Sequence, residues 1–266
     1  MAPMKKTSNT LTILGTGTFF VNKNRTASSY LLEIKNKKIL IDCGPGTLMR
    51  LSELGIKPEN IDYIFITHFH ADHTSDLFPL IMNIRLRDFF FKNGLKKFPH
   101  IVGPTGIKKF IISLSLNFQL PLFNSWNKLK ITDVKSSQKF DGFTVEAFKV
   151  KHIAFNLAAN AYAFRFIING DKVISFSGDT TTCVGIEKAC RDADLFVCDT
   201  SYPKNNGNSA HIDTTQIGKI ASKSNVKEIL LTHFYPQYEG TDFAKEVKEN
   251  YSGKVTKGKD KMKMKI

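Results

Sequence analysis

Four side chains able to bind a metal crowd into the six residues His68-Phe69-His70-Ala71-Asp72-His73, directly after the apolar run Ile64-Phe65-Ile66. Alternate side chains at a strand end project the same way, so His68 and His70 can grip one cation through imidazole nitrogens. The turn that follows swings Asp72 and His73 round to a neighbouring cation. Two divalent ions held close together can share a hydroxide, which is hydrolytic chemistry. Such a pair needs more ligands than one loop supplies. Val150-Lys151-His152, Ser177-Gly178-Asp179-Thr180 and Leu231-Thr232-His233 repeat the pattern of a strand followed by a donor, and Gly178 permits close backbone approach. Each of the three taken singly reads as an ordinary polar residue; their order and context make them ligand candidates.

The elements that must carry these donors can be read from hydrophobic pattern. Short β-branched or Leu-rich runs predict strands at Thr10–Leu14, Ser29–Ile34, Lys38–Ile41, Tyr63–Thr67, Ile101–Gly103, Thr144–Val150, Ala161–Ile168, Lys172–Phe176, Leu195–Cys198 and Glu228–Leu231. Helical spacing predicts Thr47–Leu54, Asp76–Phe91, Gly106–Phe118, Gly185–Arg191, Thr214–Ser224 and Asp242–Tyr251. Strands pair early, around Asn36-Lys37, and helices interleave later, so the class is mixed α and β with at least one extended sheet.

The ordered set resembles the metallo-β-lactamase superfamily and, within it, the group of tRNase Z, arylsulfatases and phosphodiesterases. The likeness runs from Leu14-Gly15-Thr16-Gly17 through Ile41-Asp42-Cys43-Gly44-Pro45-Gly46 and the His68 loop to His152, Asp179 and His233. The loop Asn22-Lys23-Asn24-Arg25-Thr26-Ala27-Ser28-Ser29 is similar to the Pro, Lys, Arg, Asn loop of bacterial tRNase Z, with Asn22 in place of Pro and Thr26 in place of Asn. The resemblance implies an αββα sandwich, with His68, His70 and His152 on a first metal, Asp72, His73 and His233 on a second, and Asp179 bridging. It places Asp42 beneath the site, orienting a histidine ligand. His211, in Ser209-Ala210-His211-Ile212-Asp213, stands where tRNase Z has its proton-donating histidine, and Asp199 takes the place of the supporting Glu with a shorter arm. His211 is also readable as a plain helix-entry residue. The implied catalytic set is Asp72, His211 and Asp199, with two divalent metal ions, zinc first and manganese or iron as alternatives.

The implied reaction is phosphodiester hydrolysis with a metal-bridged hydroxide as nucleophile, on RNA or another anionic substrate. The same metals hydrolyse carboxylic esters, lactones, sulfates and β-lactams, and an RNA-binding module with a relic site is the non-enzymatic reading. A true tRNA endonuclease meets a contrary observation: Asp179 follows His152 by only 27 residues, the interval in which bacterial members carry their tRNA-clamping arm. The basic and aromatic stretch Ile84–Lys92 reads either as an RNA dock or as a face buried under a neighbour or in a homodimer.

Composition bounds the rest. At 266 residues and 42% hydrophobic content the chain can bury one large core, read as a single domain over 1–266. No apolar stretch is long enough to span a membrane, and Leu11–Leu14 is too short for a signal-peptide core behind Met1–Thr10, so the expectation is a cytoplasmic protein. Cys43, Cys183, Cys190 and Cys198 lack metal-finger spacing and read as reduced thiols. The formal charge of +14 either attracts polyanions or serves solubility. Only Lys254–Ile266 is lysine-dense, and it reads as a flexible basic tail.

Overall fold

The computed structural model describes residues 9–20, 22–91, 98–120 and 129–266. Lys92, at the end of the basic and aromatic stretch, and the first eight residues lie outside them. In chain order the first half contains β1 (Thr10–Gly15), β2 (Ser29–Ile34), β3 (Lys37–Ile41), α1 (Thr47–Glu53), β4 (Tyr63–Phe65), α2 (Ala71–Thr74), α3 (Leu77–Phe91), β5 (His100–Gly103), α4 (Ile107–Asn117) and β6 (Lys130–Asp133). The second contains β7 (Ser137–Phe140), β8 (Phe143–Val150), β9 (Ile153–Ala154), β10 (Leu157–Ala158), β11 (Ala161–Ile168), β12 (Lys172–Phe176), α5 (Val184–Cys190) and β13 (Leu195–Asp199). It closes with α6 (Thr214–Lys223), β14 (Glu228–Thr232), α7 (Phe243–Lys248), β15 (Lys254–Lys257) and β16 (Lys263–Lys265).

Among the described residues fourteen strands form two seven-stranded sheets, in the orders β16-β1-β2-β3-β4-β5-β6 and β15-β14-β13-β12-β11-β8-β7, and β9 and β10 pair as a separate hairpin. Period-2 alternation sorts each strand between two layers. Leu11, Leu32, Ile39, Ile41 and Phe65 of the first sheet meet Val145, Phe164, Phe166, Phe176, Val197 and Leu230 of the second in a central core. The intervening residues Leu31, Leu40 and Ile64 face the opposite way, under α3 and α4. Phe196, Cys198, Ile229 and Leu231 do the same beneath α5, α6 and α7. Because both faces are covered, the central strands are apolar at nearly every position, as their sequences show. The result is an αββα sandwich. No helix among the described residues is long and apolar enough to cross a membrane.

Strand direction decides where the donors go. β3, β4 and β5 run parallel, as do β12, β13 and β14, and β8 shares the direction of β12 through the antiparallel β11 between them. The carboxyl ends of β3, β4, β8, β12, β13 and β14 therefore open onto one edge, where Asp42, the His68 loop, His152, Asp179 and His233 follow their strands and Asp199 ends β13.

The expectation of a flexible tail is overturned. β15 pairs in parallel with β14, and β16 pairs antiparallel with β1, so the last residues extend both sheets. Met262, Met264 and Ile266 alternate with lysines and pack against the central core. That alternation is a strand signal which the lysine count conceals. Between the two strands, Asp260 accepts hydrogen bonds from the Thr16 N–H at 3.0 Å, the Thr16 hydroxyl at 2.8 Å and the Thr26 N–H at 2.7 Å, and pairs with Arg50 at 3.0 Å. Its side chain is only 5% exposed. An Asp260→Ala substitution is expected to cost about 2–4 kcal/mol, since it strands several buried donors and a guanidinium. Urea unfolding measures this; a loss within about 0.5 kcal/mol, the usual surface value, would show that the segment is not a clasp.

Candidate metal centre

Six of the seven histidines of the chain converge on this edge. The seventh, His100, sits in β5 and bonds Thr132, its pKa pushed down to about 4 by burial and by Lys130. Donor atoms of His68, His70, His152 and Asp179 lie within 4.8 Å of one another, as do those of Asp72, His73, Asp179 and His233. Asp179 belongs to both groups. Its Oδ1 stands 3.2 Å from His73 Nε2 and 3.3 Å from His233 Nε2, and its Oδ2 stands 3.8 Å from His68 Nε2 and 3.9 Å from His152 Nε2.

Local backbone geometry explains how the rings reach the cleft. His233 and Asp42 adopt φ of 62° and 56°, the left-handed region that non-glycine residues rarely occupy, and each reverses the chain just after its strand. A Cβ on Gly44 would lie 2.0 Å from the Asp72 carbonyl oxygen, so only glycine lets the Asp42 turn press against the His68 loop.

The orientations of the His73, His152, His233 and His211 rings have identifiable causes. Asp42 accepts from the Thr67 N–H at 2.8 Å and from His73 Nδ1–H at 2.7 Å, which aims His73 Nε2 at Asp179. His152 donates Nδ1–H to the Ala210 carbonyl at 2.7 Å, leaving Nε2 inward. Ser201 Oγ lies 2.8 Å from His233 Nδ1 and donates to Asp199 at 2.6 Å. His211 Nδ1 lies 2.8 Å from Asp199 Oδ2, and Tyr235 Oη lies 3.5 Å from His211 Nε2. The structure thus brings together every site residue expected from sequence. Ser201 and Tyr235 were not anticipated. Each stands two residues from a singled-out position, Asp199 and His233, which is the spacing at which strand-end neighbours share a face.

The donor set fits cations. His68 Nε2, His73 Nε2 and Asp72 Oδ1 are buried without a hydrogen-bond partner. His152 Nε2 and His70 Nδ1 face each other at 3.2 Å. Such orphaned, convergent lone pairs are costly unless something positive lies among them. Electrostatics make the same point. Burial, then His73, pushes His68 well below the ordinary histidine range. For His73 and His233 the effect of burial is outweighed by Asp179 first among the carboxylates, so His73 is held well above that range and His233 rises to about 10. Burial likewise opposes, and His233 and His73 overcome, the shift that holds Asp179 well below the carboxylate range. The cluster demands positive charge.

In the loop at Asn22–Ser29, Arg25 has a structural part. Arg25 is buried, pairs with Glu239 at 2.8 Å, donates to Thr16 and to the Gly258 carbonyl, and lies over the Phe234 ring at 4.5 Å. It braces the turn that carries His233.

The profile of the family described as Anti-Pycsar protein Apyc1 matches residues 9–254. Ribonuclease Z of Clostridium tetani is 28% identical, over 95% of this chain and 96% of that protein. Among solved structures, the metallo-β-lactamase fold protein YhfI from Bacillus subtilis superposes with a TM-score of 0.81 at 22% identity, over 97% of this chain and 99% of that one. The short form of human tRNase Z superposes with a TM-score of 0.75 at 24% identity and the same coverage. The fold is that of the metallo-β-lactamases.

Removing the carboxylate that orients His73 tests the arrangement without touching a candidate ligand. Asp42→Asn is expected to weaken metal binding by roughly 10- to 100-fold, the usual effect of losing such a partner. Competition with a chromogenic chelator reads the affinity, and an unchanged value would mean that His73 needs no support.

Proposed function

We propose, from the premise that this chain belongs to the Anti-Pycsar protein Apyc1 family, that His68, His70, His152 and Asp179 hold one zinc ion and that Asp72, His73, His233 and Asp179 hold a second. The chain is a metal-dependent hydrolase of the phosphodiesterase type. The observation that carries the assignment is Asp179, whose two oxygens face two separate sets of imidazoles. Histidine and carboxylate donors suit zinc, and manganese or iron can compete for them. Bound there, the two ions supply an acidified water at neutral pH and offset charge on the phosphoryl oxygens.

The protein's own groups position and move protons. Asp199 beside His211 outweighs burial and raises the histidine above its ordinary range, which favours the imidazolium. His211 itself is the main reason the Asp199 carboxyl stays at about 2 in spite of its burial. With Nδ1–H tied to Asp199, the Nε2 proton is the one available to the leaving oxygen, where an alkoxide most needs it. Tyr235 Oη lies on that side, 3.5 Å away. Asp72 Oδ1, buried and unpartnered, is placed to accept a hydrogen bond from the attacking water.

The substrate under this reading is a phosphodiester of a nucleoside, RNA included, as the name of the ribonuclease Z relatives suggests. Recognition does not use an arm between His152 and Asp179, because that interval contains only the β9–β10 hairpin, β11 and β12. A groove beside His152 lined by Lys149, Lys151 and Asn160 favours an anionic ligand instead. The anti-Pycsar role that the family description names is extended to this chain on the same basis. A cytoplasmic location suits the unbridged thiols of Cys43, Cys183, Cys190 and Cys198, and a homodimer would cover Leu86, Phe89 and Phe90 of α3.

Zinc-loaded protein is expected to turn over bis(p-nitrophenyl) phosphate and to prefer phosphodiesters over a lactone or a β-lactam. His70→Ala should lower the rate by more than about 100-fold, and equal turnover by the variant would remove the basis of the assignment. In the pH profile of kcat/KM, the alkaline limb is set by loss of the His211 proton. Asp199→Asn removes the charge that raises the histidine, so this limb should move to lower pH. A limb that stays in place assigns the proton to another group.

A further inference from the structure

The segment between β1 and β2, residues 16–20 and 22–28, runs beside the metal centre. Its two ends are tied down: Asp260 holds Thr16 and Thr26, Arg25 is locked to Glu239, and Gly17 bridges to Ala27. Its crest carries Phe19 and Phe20, which are 57% and 55% exposed. Single exposed apolar residues are ordinary, but these two are adjacent on a braced loop and both reach the site. The Phe19 ring lies 6.5 Å from the ring of His70, beside the first donor cluster. The Phe20 ring lies 5.5 Å, edge-on, from Tyr235, whose own ring is 5.9 Å from that of His211. One ring thus neighbours His70, and the other neighbours the Tyr235 ring that borders His211.

We propose that Phe19 and Phe20 form a stacking platform for the planar base of the substrate, whose phosphate lies over the donor clusters. The inference rests on the phosphodiesterase reading and adds which part of a nucleoside phosphodiester the site recognises. A base is favoured over an acyl chain because the phosphodiesterase reading requires an anionic ligand, which the lysines of the groove beside His152 also favour. A flat ring carried one sugar away from a phosphate satisfies both demands at once. Stacking on an aromatic face is tolerant of base identity, because every base has a π-face. The clasp at Asp260 matters here because a platform fixed before binding loses little freedom when the ring arrives.

Calorimetric titration of the zinc-loaded full chain with uridine 5′-monophosphate and with methyl phosphate tests this. Both probes carry the phosphate and only one carries a base. The wild type is expected to bind the nucleotide more tightly, and the Phe19→Ala, Phe20→Ala double variant to reduce that advantage by roughly 5- to 150-fold, the range for loss of one stacked base. Tyrosine at both positions should preserve the advantage. Both side chains are largely in solvent, and circular dichroism checks that the double variant is folded. A ratio of affinities within about twofold of wild type in the alanine variant, or a wild type that binds both probes alike, overturns the proposal. Failure of the phosphodiesterase reading shows separately, as absence of bis(p-nitrophenyl) phosphate turnover by the same wild-type sample.

Discussion

A carboxylate buried between two sheets organises this protein. Asp179 leaves β12 in the second sheet and meets His68 and His73 from the first, together with His152 and His233 from its own. An ionised group so far from water must be matched by positive charge and by hydrogen bonds, or it would lose its charge or disrupt the packing. The two sheets can therefore come together at this edge only in a register that delivers the matching donors. The Phe65, Phe164, Phe166 and Phe176 core holds them in that register, through ring contacts of Phe65 in the first sheet with Phe164 and Phe166 in the second.

Around that carboxylate a second set of groups acts only on the rings. Asp42, the Ala210 carbonyl, Ser201 and Asp199 each occupy the outer nitrogen of an imidazole and so point the other nitrogen inward. Three of these groups are side chains just beyond the ends of β3 and β13 or at the latter's last residue. Where a fold needs close angular precision, it obtains it from strand ends, whose positions are set by the sheet ladder rather than by loop conformation. The Asp199 and Ser201 pair joins His233 to His211, so the orientation of a candidate ligand and that of the proposed proton donor share one support.

The chain's last residues connect the two halves in another way. β15 extends the second sheet, β16 extends the first, and Asp260 between them grips the segment that runs beside the metal centre. Lysines that look like a solvated run are the outward half of an alternating strand, with Met262, Met264 and Ile266 as the inward half. The surplus of positive charge is thus partly structural in placement, on edges that must stay soluble.

How much of this was legible in the sequence depends on how local the signal is. The central strands read almost without error because apolar β-branched runs state their own secondary structure; Ser29–Ile34, Ala161–Ile168 and Lys172–Phe176 fall where the pattern put them. The His68 loop announces metal chemistry because four donors lie within one turn of chain. The short edge strands β6, β7, β15 and β16 escaped, since their polar residues are stabilised by neighbours distant in sequence. So did Ser201, Tyr235 and the Asp260 clasp, which have meaning only through partners brought from elsewhere. By itself the sequence determined which residues can donate and which strands carry them. Only the tertiary structure decided which donors share a cation-sized space, which support holds each ring and which aromatic residues stand beside the centre, because those are distances across two sheets.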